Sequence, residues 1–321
     1  MKAAVINKLG DIPRYEDFPD PVVTEGDVIV KVKAVILDYA NKALAGGMHF
    51  ASKQFYPRLP AIVGYSGVGA LEDGSLVSFR GMKPPFGSMA EKVVIAKAFA
   101  APIPDGVTAE QASAIPSAAL SSLGPLRYAA KLQAGETVLI NGATSVSGML
   151  AVQIAKVLVA GRVIGTGRNP ESGKKLSELG AEAFINLNQP DEKVVEDLKK
   201  EAGKGYDVIL DYLWGHPAEV ILSTFTPTQI GAPGRRTRFV LIGVLAGRTA
   251  QISGQSLLTS GLEIYGMTAQ TPPEAMAEGT RLVWDIIKQG ILSMDIVKYP
   301  LKDIEKVWDM EEHGKRIVIV P

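Results

Sequence analysis

Residues 136–168 constrain the fold of this chain more than any other stretch of its sequence. A short apolar run at 137–140 enters a turn of small residues, and a long apolar helix pattern begins at Gly148. A second apolar run follows and ends in Thr-Gly-Arg at 166–168. Strand, turn, helix and strand in this order are typical of a dinucleotide-binding unit. Small residues in the turn let the backbone approach a pyrophosphate, and the helix N-terminus offers unpaired N–H groups.

The turn itself departs from the GxGxxG pattern, because Ser145 stands where the middle glycine is expected. A hydroxymethyl group at that position can still admit a phosphate and donate a hydrogen bond to it. The alternative is an ordinary strand-to-helix turn without a ligand, which the surrounding pattern disfavours. We therefore expect cofactor contacts from the whole turn, namely Gly142, Ala143, Thr144, Ser145, Val146, Ser147 and Gly148.

The residue that ends the second strand decides which dinucleotide binds. Sites for NAD place Asp or Glu there to accept a hydrogen bond from the ribose 2′-hydroxyl group. Here Thr166, Gly167 and Arg168 occupy the position, and the first acid is Glu171. An Arg guanidinium pairs with a 2′-phosphate that a carboxylate would repel, and the Thr hydroxyl can add a hydrogen bond. The pattern favours NADPH, with a solvated loop arginine as the alternative interpretation of Arg168.

Composition narrows the classes of partner. Lys plus Arg and Asp plus Glu each number 34, a balance that argues against a nucleic-acid or anionic-membrane surface. The absence of cysteine excludes disulfides, thiolate catalysis and any Cys-ligated zinc. The opening MKAAVINKLG lacks a signal-peptide layout, and no apolar run is long enough to span a bilayer. We expect a cytoplasmic protein with a small-molecule ligand.

Two regions of different character surround the binding unit. Residues 2–6, 27–35 and 89–95 are short β-branched runs, which predict a β-rich first third. From about residue 108 a helical pattern with a proline-marked break leads into the unit, and helices and strands then alternate. The predicted strands are 137–140, 162–166, 183–186, 207–211, 239–244 and 262–267, and the predicted helices include 148–158, 172–179 and 193–202. Six strands with helical crossovers predict an α/β fold with a doubly wound parallel sheet.

The tail predicts a return to the first domain. A helix at 273–289 and a short helix at 304–310 precede a final strand at 316–321, which we expect to rejoin the β-rich domain because chain termini often lie close together. The predicted domains are 1–119 with 268–321, and 120–267. An exposed loop before the fifth strand is predicted from Pro227, Pro233, Arg235 and Arg236.

Several motifs carry a resemblance that runs over nearly the full length. They include MKAAVI at the start, LPAIVG at 59–64, GSMAE at 87–91, INGATSVSGMLAVQIAK at 140–156 and the ending HGKRIVIVP. The chain resembles the medium-chain dehydrogenase/reductase superfamily in its zinc-free quinone oxidoreductase branch. The resemblance implies a Rossmann domain, a split GroES-like catalytic domain, an active site in the cleft between them, and a homodimer formed through the sixth strand.

The same resemblance bears on the chemistry. Zinc-dependent relatives carry a Cys at the position of Asp38, a His-Glu pair at Tyr65 and Ser66, and a four-Cys lobe, none of which is present. We therefore expect a metal-free reaction in which NADPH delivers hydride to a quinone or an α,β-unsaturated carbonyl, with hydrogen-bond donors stabilising the negative charge on the substrate oxygen. Two alternatives stay open, namely a non-catalytic NADPH-binding structural or sensory protein, and metal-free ketone or alcohol chemistry.

Candidate catalytic residues follow from the segment Asp38-Tyr39-Ala40-Asn41, where similar zinc-free reductases often carry Asn-Tyr-x-Asp. We expect this polar segment to face the cleft, with Tyr39 and Asn41 as donors to a substrate carbonyl. In the alternative interpretation Tyr39 packs in the β-rich domain and Asp38 caps a helix. Tyr65 either lines the pocket or is structural.

The resemblance also places later segments beside the cofactor. The residues after the fourth strand flank the ribose or nicotinamide, a glycine after the fifth allows close approach, and the backbone after the sixth, up to Gln270, holds the carboxamide. The additional expected contacts are Leu213, Gly243, Val244, Met267 and Thr268.

Overall fold

The computed structural model describes residues 1–226, 235–269 and 271–321. The predicted loop residues Pro227 and Pro233, and the predicted contact Gln270, lie outside the described residues. The chain forms two compact units, one made of Met1–Pro116 with Asp295–Pro321 and the other of Ser117–Met294. We refer to them as the first and the second unit.

The strands, in chain order, are β1 (Lys2–Ile6), β2 (Arg14–Asp17), β3 (Asp27–Leu37), β4 (Ala61–Ile62), β5 (Ser66–Ala70), β6 (Leu76–Arg80), β7 (Lys92–Ala96), β8 (Ala100–Pro102), β9 (Thr137–Asn141), β10 (Arg162–Gly167), β11 (Ala183–Asn186), β12 (Val208–Asp211), β13 (Thr237–Leu241), β14 (Leu262–Gly266), β15 (Asp295–Pro300) and β16 (Lys315–Val320). Most predicted strands lie within one to three residues of these bounds. The strand β15 was not predicted, because its residues lie in a tail segment without clear alternation.

The α-helices are α1 (Tyr39–Ala45), α2 (Ser52–Phe55), α3 (Ala109–Ala114), α4 (Pro116–Gly124), α5 (Val146–Val157), α6 (Ser172–Glu178), α7 (Asp191–Ala202), α8 (Gly215–Ser223), α9 (Gly254–Thr259), α10 (Ala275–Lys288) and α11 (Ile304–Val307). A π-helical turn at Pro125–Ala129 continues α4. In the described part of the chain, no helix is both long and apolar enough to cross a membrane.

The second unit is built on a six-stranded sheet in the order β11-β10-β9-β12-β13-β14. Every neighbouring pair in it is parallel, which confirms the predicted α/β class and doubly wound sheet. The central strand β9 reads as a continuous apolar run because helices cover both of its faces. Strand order reverses at β9, since β10 lies on one side of it and β12 on the other. Such a switch point, at the carboxyl ends of the strands, is where open α/β sheets bind ligands.

The first unit carries the predicted β-rich region. Its larger sheet runs β15-β16-β3-β5-β6-β8, with β7 also paired to β3, and β1 pairs with β2 and β4 in a smaller sheet. Alternation along β3 buries Val30 and Val32 while Lys31 and Lys33 stay exposed, as their periodicity of two predicts. The terminal strand β16 pairs antiparallel with β3, so the chain end does return to the first domain.

The observed division of the chain differs from the predicted one at its second boundary. Residues 268–294 were assigned to the β-rich domain, whereas the compact second unit extends to Met294. The physical reason is the packing of α10 within that unit. A Cβ atom at Gly279 would lie 3.1 Å from Cδ2 of Leu120, and Glu278 accepts hydrogen bonds from Arg127 and Tyr128.

Candidate functional site

The turn between β9 and α5 lies at the switch point of the parallel sheet. Gly142 has φ +88°, a conformation that favours glycine, and Gly148 sits so close to the turn that a Cβ atom would lie 2.6 Å from Cα of Ala143. Gly167 at the end of β10 is similarly confined, because its Cβ atom would lie 2.9 Å from Oγ1 of Thr144. These glycines allow a tight turn and a close approach of helix and strands, as a dinucleotide fold requires.

Ser145 is the N-cap of α5 and not a free phosphate donor. Its Oγ accepts a hydrogen bond from the amide of Gly148 at 3.1 Å and donates one to the carbonyl oxygen of Gly142 at 2.9 Å. The predicted hydroxyl donation to a phosphate is therefore corrected, because the single hydroxyl proton is already used within the turn. The residue that replaces the middle glycine stabilises the helix start instead.

The amide groups at this helix start remain available. Among the described residues, the backbone N–H groups of Thr144, Val146 and Ser147 have no protein acceptor. All three residues are half-buried. Three convergent donors at the positive end of the twelve-residue helix α5 form a site suited to an anion such as a pyrophosphate.

A buried network of side-chain hydrogen bonds holds the backbone of the turn in place. Thr166 donates to Oδ1 of Asn141 at 2.7 Å and accepts from the amide of Gly142 at 3.1 Å, while Asn141 donates to Asp211 at 2.8 Å. All three side chains are fully buried. The predicted role of the Thr166 hydroxyl, a contact to the 2′-phosphate, is therefore corrected to a structural one. Asn141 and Asp211 were missed, although both are polar residues that end apolar strands, which is a readable signal.

Asp211 holds the next loop with its carboxylate. Its Oδ1 accepts from the amides of Leu213 and Trp214 at 3.0 and 3.1 Å. Burial raises the pKa of Asp211 above its ordinary value, against the lowering effect of these hydrogen bonds. The arrangement places Leu213 against the turn, since a Cβ atom at Gly142 would lie 3.0 Å from Cγ of Leu213.

Arg168 follows β10 at the same edge of the sheet. It is exposed, and no described residue forms a hydrogen bond or ion pair with its side chain. The nearest acid in sequence, Glu171, begins α6 as its N-cap residue. The end of the second strand thus presents a guanidinium with all of its donors available.

The remaining predicted cofactor residues also lie after the carboxyl ends of their strands. Gly243 follows β13, and its Cβ atom would lie 2.6 Å from the carbonyl oxygen of Tyr212, so only glycine fits there. Val244 is exposed beside it. Met267 donates its amide to Leu241 at 2.9 Å, and Thr268 is exposed. Together with the turn and Arg168 they form one edge of the sheet.

In the first unit, the candidate catalytic residues surround the carboxylate of Asp38. Asp38 is the N-cap of α1 and accepts from both the amide and Nδ2 of Asn41 at 2.9 Å, as the alternative interpretation predicted. Asn41 is buried and its Nδ2 also donates to the carbonyl oxygen of Ile36 at 3.1 Å. The prediction that Asn41 donates to a substrate is wrong, because both of its amide protons serve the helix start.

The two tyrosines differ in availability. Tyr65 donates its hydroxyl proton to Oδ2 of Asp38 at 3.2 Å, and burial, helped by Asp38, raises its pKa, so the phenol stays protonated. Tyr39 is 58% exposed, and no described residue accepts or donates a hydrogen bond at its hydroxyl. Tyr39 does not pack in the core of the first unit. It remains the one predicted catalytic side chain whose donor no described residue uses.

Comparison with known proteins adds an independent line of observation. A family model described as zinc-binding dehydrogenase matches residues 148–285. A quinone oxidoreductase of Pseudomonas aeruginosa is 26% identical over 297 residues, covering 89% of this chain and 87% of that protein. Prostaglandin reductase-3 of mouse is 26% identical over 244 residues, covering 72% of this chain and 59% of that protein. The quinone oxidoreductase of Thermus thermophilus, solved alone and with NADPH, has a TM-score of 0.79 and 25% identity, with 100% of both chains covered.

The chain is similar to quinone oxidoreductases over most of its length, as its resemblance to the medium-chain dehydrogenase/reductase superfamily implied. The two units correspond to the Rossmann and GroES-like folds that the resemblance implied. The matching family model is described as zinc-binding, so the arrangement of possible zinc ligands in this chain bears on its chemistry. Over residues 1–226, 235–269 and 271–321, no group of three His, Cys, Asp or Glu side chains could hold a metal ion.

One charged residue of the first unit could not be identified as a candidate site residue from the sequence motifs. Arg316 lies in β16, where its neighbours Ile317 and Val318 are buried, and its Nε is buried without a hydrogen-bond partner. Burial lowers the pKa of Arg316, while Asp38 and Tyr65 raise it. A second charged residue at the start of an otherwise apolar terminal strand is the signal that could have identified it.

Proposed function

We propose that the protein is a metal-free oxidoreductase that transfers hydride from NADPH to a quinone or an α,β-unsaturated carbonyl. The observation that carries the proposal is the exposed guanidinium of Arg168 after β10, which has no partner among the described residues and lies at the same sheet edge as three amides that these residues also leave unpaired. A guanidinium fork suits a 2′-phosphate, and amides at a helix start suit a pyrophosphate. The names of the relatives, quinone oxidoreductases and a prostaglandin reductase, support the acceptor class.

The chain's own residues would hold the cofactor in three places. The amides of Thr144, Val146 and Ser147 would bind the pyrophosphate, and Arg168 would bind the 2′-phosphate. Leu213, held in place by the Asp211 carboxylate, would cover the ribose end of the turn. NADPH, when bound, supplies the hydride.

The substrate side depends on Tyr39 in the first unit. Its free hydroxyl can donate a hydrogen bond to a substrate oxygen, whereas the proton of Tyr65 is committed to Asp38. Phe50 is 96% exposed and stacks on His49 at 4.4 Å between ring centroids, and Met48 is also exposed. Exposed apolar side chains in the loop after α1 suit a planar, apolar acceptor such as a quinone.

The deciding experiment follows oxidation of NADPH by its near-ultraviolet absorbance with a panel of quinones and enones, with and without a chelator. Turnover that chelation leaves unchanged supports the proposal, and the same panel with NADH measures cofactor preference. Loss of turnover after chelation would contradict the metal-free reaction. Tight NADPH binding without turnover across the panel would instead favour the non-catalytic alternative.

We also propose a homodimer formed through β14. In the described residues this strand pairs only with β13, so its other edge is open, and Leu257 and Leu258 of the adjacent helix α9 are exposed. An open edge with apolar side chains nearby is a ready pairing surface.

A further inference from the structure

Arg316 is placed beside the candidate catalytic cluster by the pairing of two strands. In the antiparallel pair of β16 and β3, Ile317 lies opposite Leu37 and Val318 opposite Ile36. Continuing this register by one residue puts Arg316 across from Asp38, at the point where β3 ends and α1 begins. The chain therefore brings a fixed positive charge from its last strand to the start of α1.

Within the described residues this guanidinium interacts electrostatically with Asp38 and Tyr65 but forms no hydrogen bond with them. No hydrogen bond or ion pair joins Arg316 to another described residue, and its Nε is buried. Asp38 lies near enough to raise the pKa of Arg316, but its carboxylate accepts hydrogen bonds from Asn41 and Tyr65 and none from the guanidinium. Burying a charged donor without a hydrogen-bond acceptor costs free energy of folding. The presence of such a donor here therefore points to a ligand that supplies the acceptor.

We propose that Arg316 is an oxyanion-binding residue for the substrate, donating charge-assisted hydrogen bonds to the oxygen that gains negative charge during reduction. The proposal rests on the hydride-transfer function proposed above. In the protein without substrate, the same guanidinium would bind a small planar carboxylate, because a carboxylate offers the acceptor geometry that an Arg fork matches.

The electron balance gives Arg316 its role. With an enone, the hydride from NADPH adds to the β-carbon, and the electron pair of the carbon–carbon double bond moves to form a new double bond between the α-carbon and the carbonyl carbon. The carbonyl oxygen becomes the oxyanion that Arg316 holds. A proton from water then joins the α-carbon and restores the carbonyl group, so that NADPH is oxidised to NADP⁺ and the enone is reduced. Stabilising charge that appears only in the transition state raises kcat.

The test compares Arg316→Met, Arg316→Lys and the matched control Lys315→Met. Lys315 is the neighbouring cation on the same strand, exposed and paired with Glu312 at 3.5 Å. We expect Arg316→Met to lower kcat about a hundredfold, the scale of losing one oxyanion donor, with a smaller change in KM. Arg316→Lys should recover part of kcat, and Lys315→Met should behave as the wild type.

Two further readouts do not depend on turnover. Calorimetric titration with benzoate should show binding to the wild type that weakens at least roughly tenfold in Arg316→Met. The midpoint of thermal unfolding should not fall in Arg316→Met, because the substitution removes a buried Nε donor that has no acceptor and leaves an apolar chain of similar length. A merely structural arginine would lower the midpoint and leave benzoate binding alone.

The outcomes separate this inference from the function on which it rests. Absence of benzoate binding to the wild type, or equal binding to Arg316→Met, overturns the oxyanion role even if NADPH is oxidised. A wild type that neither binds NADPH nor oxidises it overturns the proposed function, while the benzoate titration still decides whether Arg316 binds an anion.

Discussion

Replacing Arg168 by Ala should change the cofactor preference of this protein more than any other single substitution. The side chain is exposed and free of described protein partners, so its removal breaks no internal contact. We therefore expect the free energy of unfolding to change by less than about 0.5 kcal/mol, as for ordinary surface substitutions. The whole effect should then appear in binding.

The magnitude follows from the kind of contact that is lost. A hydrogen bond between a guanidinium and a phosphate contributes about 1.5–3 kcal/mol, and exposure at this position favours the lower end of that range. At about 1.4 kcal/mol per factor of ten, Arg168→Ala should weaken NADPH binding roughly 10- to 30-fold. Binding of NADH, which lacks the 2′-phosphate, should change less than about twofold.

The assay is calorimetric titration of wild type, Arg168→Ala and the control Lys200→Ala with both nucleotides at two salt concentrations. Lys200 is an exposed cation on α7, away from the carboxyl end of the sheet, and controls for the change in net charge. The NADPH effect should shrink as salt rises, because the Debye length falls from about 10 Å at 0.1 M to about 3 Å at 1 M. Equal losses for NADPH and NADH in Arg168→Ala would refute the assignment.

Three further predictions test other parts of the molecule. Gly148→Ala should destabilise the second unit by about 1–3 kcal/mol in denaturant unfolding and abolish NADPH binding, because the new Cβ atom meets backbone of the turn that cannot swing away; an unchanged midpoint would contradict the close packing. The free energy of unfolding of Asp211→Asn, relative to that of the wild type, should increase as pH rises from about 4 to 7. The pKa of Asp211 is raised in the folded state, so the wild type loses stability as pH rises above the pKa of this carboxyl in the unfolded chain. A difference in unfolding free energy that does not change with pH would show that the pKa of Asp211 is not perturbed. Sedimentation velocity at micromolar concentration should show a dimer, and a monomer would exclude pairing through the open edge of β14.

The parts of the fold that were predictable depend on short-range pattern. The run at 137–140 and the helix that follows were readable because a central parallel strand is continuously apolar and a helix repeats every 3.6 residues. The strand 183–186 was predicted with its observed bounds. By contrast, β15 and the attachment of α10 to the second unit depend on contacts between distant segments, such as Gly279 against Leu120, which leave no local periodicity.

The candidate site also has features that could be predicted from the sequence and features that could not. Small residues in the turn and the arginine that ends the second strand were visible in the sequence, because residue type alone fixes which conformations and charges are available there. Which acceptor each hydroxyl group bonds to could not be predicted from the sequence. Ser145 and Thr166 carry the donors that a phosphate would need, yet the folded chain directs both into the protein. Whether a hydroxyl group bonds to an acceptor within the protein or to a ligand depends on distances in the folded structure.

From the sequence alone, the parallel sheet of the second unit was predicted correctly, and a phosphorylated nucleotide was favoured as the ligand that we propose. The folded structure was needed to show that Asn41 is buried in the first turn of α1 and that Arg316 of the last strand interacts electrostatically with Asp38. The reason is that strand pairing brings together residues from opposite ends of the chain, and the electrostatic effect of a charged side chain depends on the groups around it. No pattern along the chain records which groups those are.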